Sequence, residues 1–199
     1  MAYIAFEGGE GSGKSTQARL LAERLGAVLT REPGATPLGA KLRGLLLDPD
    51  GEPMSPRTET LLMAADRAQH LDAVVLPALA EGRHVVSDRS VYSSLAYQGG
   101  GRHLGVEAVR VINDWALQGR WPDVVVLLDV DLTVAAGRLD RQLDRLEQEG
   151  DAFHHRVWAT FRELASDGRH WVVVPAEGTV EAVAERVWAA VEPRMAAVA

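Results

Sequence analysis

Residues 8–15 read Gly8-Gly9-Glu10-Gly11-Ser12-Gly13-Lys14-Ser15, which fits G-x-x-x-x-G-K-[ST]. Each residue type answers a need of polyphosphate chemistry. Glycines let backbone N–H groups turn inward and meet phosphate oxygens without side-chain clash. A helix opening near Ser15 points its positive dipole end at the same anion. Lys14 neutralises β and γ oxygens, and the Ser15 hydroxyl suits magnesium. Gly8, Gly9, Glu10, Gly11, Ser12, Gly13, Lys14, Ser15 and Thr16 are therefore the expected nucleoside-triphosphate-binding run. Of 21 basic residues only Lys14 and Lys41 are lysine, so a lysine inside this run carries weight.

Other phosphate-binding classes fit poorly. A dinucleotide fingerprint fails because Lys14 stands where its third glycine should fall. A GTPase would carry an Asn-Lys-x-Asp guanine reader, yet Lys41 sits in Ala-Lys-Leu-Arg. The Ser-Gly-Gly signature of transporter ATPases is missing. A net charge of −7 over 199 residues argues against a nucleic-acid binder. The absence of cysteine excludes disulfides and thiolate metal sites. No apolar run approaches the ~20 residues of a membrane span, and the N-terminus lacks a secretory pattern. The expectation is a cytoplasmic small-molecule phosphotransferase.

Positioning such a loop requires a strand before it and a helix after it. Tyr3–Phe6, Ala27–Thr30, His84–Ser87, Val124–Val130 and Trp171–Val174 read as buried strands. Between and beyond them, Ser15–Leu25, Leu38–Leu47, Arg57–Glu81, Val106–Gln118, Leu132–Arg145, Asp151–Ser166 and Thr179–Val198 read as helices. Strands spaced by helices mean βαβ crossovers, hence an α/β fold in three layers around a five-stranded parallel sheet. Ligands then bind beyond the carboxyl ends of the strands. Residues 1–199 are expected to form one domain. Residues 48–53, DPDGEP, lack the further ligands of a calcium loop and read as a turn.

Five segments in order make the chain resemble the bacterial type of thymidylate kinase: FEGGEGSGKSTQ at 6–17, TREPG at 30–34, LLMAADRAQH at 61–70, VSDRSVYSSLAYQ at 86–98 and LDRLEQEGDAFHHR at 143–156. The resemblance implies the P-loop kinase fold and transfer of the ATP γ-phosphoryl group to dTMP. It also implies an acceptor site. Met63 stands where the family stacks an aromatic residue on thymine, and Arg67 donates to a thymine carbonyl. Ser94 and Gln98 read the base edge, and Tyr97 lies under the deoxyribose. Arg43 and Arg89 hold the dTMP phosphate, which suits the planar guanidinium fork. Arg31, Glu32 and Pro33 border it, and Glu10 lies close to the acceptor sugar and phosphate.

For catalysis, the resemblance implies Lys14, Glu10, Arg89, Arg145 and Arg141. Asp88 ends an apolar strand and is the expected magnesium-directed carboxylate, with Asp129 as its rival. The transition-state arginine comes from a short lid at about 138–150. Arg138 and Arg141 compete for one position there, Arg138 being the expected adenine-stacking residue. By the residues alone, this arginine-rich stretch also suits a solvated helix laced with ion pairs. His154 and His155 read as surface or packing residues. The family is commonly homodimeric and uses Mg2+ with ATP. Two alternatives stand beside dTMP phosphorylation: another monophosphate acceptor such as dUMP or dCMP, and a nucleotide-binding regulatory ATPase.

Overall fold

The computed structural model describes residues 1–131, 134–135, 137, 142–166, 168 and 170–198. Five strands form one parallel sheet: β1 Tyr3–Glu7, β2 Val28–Arg31, β3 Val85–Asp88, β4 Val124–Asp129 and β5 Trp171–Pro175. Their order across the sheet is β2-β3-β1-β4-β5. The chain runs outward from β1 to β2, returns to β3 beside β1, and then crosses to β4 and β5. The order therefore reverses at β1, the strand that feeds the glycine-rich loop. Such a reversal opens a crevice at the carboxyl edge.

Alternation along each strand assigns its residues to two cores. Tyr3, Val85, Val125 and Leu127 join Leu95, Phe161 and Trp171 on one face. Ile4, Phe6, Val86, Val124, Val126 and Leu128 join Leu21, Val187 and Val191 on the other. Burial on both faces explains the continuous apolar runs of β1 and β4. The register pairs Phe6 with Asp88 and Arg31 with Asp88. Glu7, Arg31 and Asp88 thus end three neighbouring strands at one edge.

The helices are α1 Lys14–Leu25, α2 Pro37–Leu47, α3 Pro56–His70, α4 Leu76–Ala80, α5 Val91–Ser94, α6 Val106–Leu117, α7 Asp151–Ser166 and α8 Val180–Val198. Local chemistry sets several of their ends. Thr36 accepts from the Gly39 N–H at 2.9 Å before Pro37, and Ser55 accepts from the Thr58 N–H at 3.2 Å before Pro56. Gly26 closes α1 in the left-handed region, returning its N–H to the carbonyls of Ala22 and Glu23.

Two helical expectations change. Arg57–Glu81 is not one α-helix, because a π-turn at Leu71–Val75 separates α3 from α4. Beyond β3 the chain is α-helical only over Val91–Ser94 and becomes a π-turn at Leu95–Gly101. Glycines let that π-turn press onto α7: a Cβ on Gly100 would collide with Thr160, and one on Gly101 would lie 2.6 Å from Phe153. Helix expected over 132–145 does not reach residues 142–144, which have no helical structure; the rest falls largely outside the described residues. There Asp144 accepts from the N–H groups of Leu146 and Glu147 at 2.9 and 3.0 Å. This competing local bond favours a turn over a helix. Among the described residues no helix is long and apolar enough to cross a membrane.

Candidate active site

The loop from Gly8 to Gly13 joins β1 to α1. Gly13 takes φ 92°, a left-handed backbone that glycine adopts without strain. A Cβ on Gly11, itself at φ 71°, would collide with the carbonyl of Ala135. The Lys14 ammonium folds back to donate to the Gly9 carbonyl at 2.6 Å, with Ser12 Oγ at 3.4 Å. Burial first, then the neighbouring Arg89 charge, depresses its pKa to about 8. A lysine held this way inside a glycine-rich loop is a site for an anion.

Beyond β3 the backbone turns sharply. Arg89 sits at φ 70°, strained for a side-chain-bearing residue. Its position is over-determined. The buried Glu7 carboxylate accepts from the Ser90 N–H and Oγ–H, both at 2.8 Å, and from the Ser93 N–H and Oγ–H at 3.1 and 2.6 Å. Burial still raises the Glu7 pKa, opposed by Arg89 and the two serines. Arg89 reaches Ser93 Oγ at 3.1 Å, pairs with the Glu10 carboxylate and lies 5.2 Å over the Tyr97 ring. Tyr97 donates to Glu10 at 3.2 Å. Burial disfavours the Glu10 charge, but Arg89 and Lys14 outweigh it and hold the carboxyl well below its ordinary range. Ser15 Oγ donates to Asp88 Oδ2 at 2.5 Å. Asp129, the rival carboxylate, meets Arg162 at 3.3 Å and does not line the cleft.

These groups open into one cleft of about 600 Å³. Residues 10–17 line it, with Arg31, Glu32, Pro33, Arg43, Met63, Arg67, Asp88, Arg89, Ser94, Tyr97 and Gln98. The cleft thus gathers the phosphate loop and every described residue expected at the acceptor site. Arg43 donates to the Pro33 carbonyl at 2.9 Å, and burial together with nearby Arg31 lowers its pKa. Arg67, 2% exposed, donates to Glu32 Oε2 at 2.8 Å and to Ser94 Oγ at 3.1 Å, and also meets Asn113. Glu32 in turn bonds His70 at 2.8 Å, and the Arg67 and His70 contacts overcome burial to lower its pKa. Met63 belongs to the hydrophobic core that holds Leu95 and lines the same cleft.

Gln98 is 1% exposed. Its Nε2 donates to Glu59 at 2.8 Å, while its Oε1 has no hydrogen-bond partner among the described residues. A buried carbonyl left without a donor costs ~1–3 kcal/mol, so it marks a place for a ligand N–H.

Arg145, expected among the catalytic residues, donates its Nε to the Leu46 carbonyl at 2.8 Å, and its Nη2 lies 2.9 Å from Glu59 Oε2. Glu59 is wholly buried and draws guanidinium groups to it. Arg138 and Arg141 lie outside the described residues. Asp144, Leu146 and Glu147 do line the cleft. Sequence reasoning missed Glu7, Glu59 and the far wall of Gln17, Ala176, Gly178, Val180 and Val183. Apart from Gln17 on α1, that wall follows β5, and the rule that ligands sit beyond strand ends was the available signal.

The family model described as thymidylate kinase matches residues 6–187. A thymidylate kinase of Halothermothrix orenii is 43% identical over 196 residues, covering 94% of each chain. One from Synechococcus sp. strain JA-2-3B'a(2-13) is 47% identical over 199 residues, covering 97% of this chain and 95% of that one. The crystal structure of thymidylate kinase from Ehrlichia chaffeensis superposes with a TM-score of 0.80 at 29% identity, covering 96% of this chain and 98% of that one.

Proposed function

The chain belongs to the thymidylate kinase family, and we propose the following division of labour in its phosphorylation of dTMP to dTDP by ATP. The ATP phosphates rest on the loop of residues 8–16, with Lys14 on the β and γ oxygens. The nucleoside end lies against Ala176, Gly178, Val180 and Val183. Ser15 and Asp88 present hard oxygens 2.5 Å apart beside the loop, a donor set that fits magnesium. When bound, the ion adds charge neutralisation at the β and γ oxygens.

Thymine enters between Met63 and the Arg67–Ser94 pair. Its N3–H meets Gln98 Oε1 and a carbonyl faces Arg67. Tyr97 supports the deoxyribose. Arg89 and Arg43, bordered by Arg31, Glu32 and Pro33, hold the 5′-phosphate, and Glu10 anchors the Arg89 guanidinium. An acceptor oxygen so held lies in line with the γ-phosphorus, and the reaction then depends on positioning and charge more than covalent chemistry. Residues 138–150 act as a lid within one domain of 199 residues, Arg141 serving the transferred phosphoryl group and Arg138 the adenine. Three of its residues on the cleft wall, Asp144, Leu146 and Glu147, support that reading.

Outside the site, Val111 and Trp115 lie four apart on α6, Trp115 being 85% exposed. This apolar stripe supports a homodimer. The enzyme works in the cytoplasm, a reading consistent with the lack, among the described residues, of a helix able to cross a membrane.

One observation carries the functional reading: the orphaned Gln98 carbonyl shares a cleft with the phosphate loop. An ATP switch needs no such base pocket. The test is a Mg-ATP transfer assay against dTMP, dUMP, dCMP, AMP and GMP with products resolved chromatographically. dTDP is expected to form fastest. Equal rates on several acceptors, or ATP hydrolysis indifferent to any of them, overturn the assignment.

A further inference from the structure

The base pocket distinguishes an N–H donor from a bare ring nitrogen only if the Gln98 amide keeps one orientation. Its two ends are nearly isosteric, and rotation by half a turn exchanges acceptor for donor. Something behind the pocket must forbid that rotation.

Glu59 lies there. It is completely buried on α3. One of its oxygens accepts from Gln98 Nε2 at 2.8 Å. Arg102 reaches both oxygens, through Nε at 3.3 Å and Nη2 at 3.1 Å, and Arg145 Nη2 lies 2.9 Å away. Arg102 is itself anchored by Glu149 at 2.5 Å. A carboxylate clamped between two guanidinium groups offers acceptors only. Rotating Gln98 would set carbonyl against carboxylate and leave a buried NH2 in the cleft.

We propose that Glu59 is a positioning residue for acceptor specificity: by accepting from Gln98 Nε2 it commits Gln98 Oε1 to the cleft, so that the enzyme selects a pyrimidine with an N3–H over cytosine. The inference rests on the dTMP-kinase reading above and adds to it the source of its polarity. Thymine and uracil carry the N3–H; cytosine has a lone pair there and meets the Gln98 carbonyl with repulsion. Arg102 and Arg145 follow as the groups that keep Glu59 in place, and both sit outside the base pocket.

Glu59→Gln tests this. The new amide can donate to Gln98 Oε1 and let the side chain turn over. The readout is the ratio of kcat/KM for dTMP to that for dCMP, which is expected to fall by about tenfold or more. Glu59→Asp keeps an acceptor-only group and is expected to retain the preference, even with a higher KM. A folded Glu59→Gln enzyme with the wild-type ratio overturns the proposal. Wild-type turnover of dTMP reports separately on the kinase reading. Should Glu59→Gln fail to fold, the Gln98 side-chain NH2 of the wild-type enzyme decides by NMR. Slow hydrogen exchange without substrate is expected, and solvent-like exchange overturns the proposal.

Discussion

Arg145 lies on Glu59, its Nη2 2.9 Å from the carboxylate, so a residue within the stretch proposed as a lid is tied to the carboxylate behind Gln98 rather than to the phosphate loop. Asp144, directly before it, lines the cleft while Arg145 does not. Neighbouring residues thus serve different surroundings, one facing the cleft and the other a buried carboxylate.

Arg145→Ala is expected to lower stability by about 2 kcal/mol, since a buried charge-assisted contact is lost while Arg102 still serves Glu59. That is a fall of a few degrees in Tm by calorimetry. KM for dTMP should rise more than kcat falls. A drop in kcat of about a thousandfold at unchanged Tm would instead return Arg145 to the transferred phosphoryl group.

Lys14→Ala should abolish phosphoryl transfer and leave the fold intact. Among the described residues the Lys14 ammonium hydrogen-bonds loop atoms, Gly9 O and Ser12 Oγ, and burial works against its charge. Removing it therefore costs no core packing. Transfer should fall about a thousandfold or more with Tm held or raised. Near-normal turnover would sink the phosphate-loop assignment.

The pH profile follows from the same lysine. Its pKa in the fold is about 8 against an ordinary 10.5. In the free enzyme the charge needed for triphosphate binding is lost as pH rises through about 8, so kcat/KM for Mg-ATP should decline there. Stability moves the other way. The lysine opposes folding fully below about pH 8, and that penalty is relieved as pH climbs toward 10.5. A kcat/KM profile that stays flat from pH 7 to about 9.5 would contradict this placement.

Met63→Phe should tighten the acceptor site. Met63 lines the cleft beside Arg67, and methionine packs on a ring with looser geometry than an aromatic face. KM for dTMP is expected to fall by about threefold with kcat little changed, as a gain of ~0.5–1 kcal/mol in stacking implies. An unchanged or raised KM would place the base elsewhere in the cleft.

Much of this protein is written in short range. The run from Gly8 to Ser15 specifies its own turn, because glycine alone tolerates the backbone at Gly11 and Gly13. The strands declare themselves by continuous apolar burial, and alternation with helices makes the sheet parallel. Every described residue assigned to the acceptor site from the five motifs lies in the cleft. Other features depend on residues distant in the chain. The π-turn at Leu95–Gly101 is set by how closely glycines meet Thr160 and Phe153 of α7, and no local periodicity encodes that contact. That Asp88 meets Ser15 depends on β3 lying beside β1, a pairing of distant segments. Glu59 looked like one more polar residue of a helix, and Arg145 like one more arginine of a lid. Burial decided both, since a carboxylate removed from water must collect its partners from wherever the chain can supply them, here Gln98, Arg102 and Arg145.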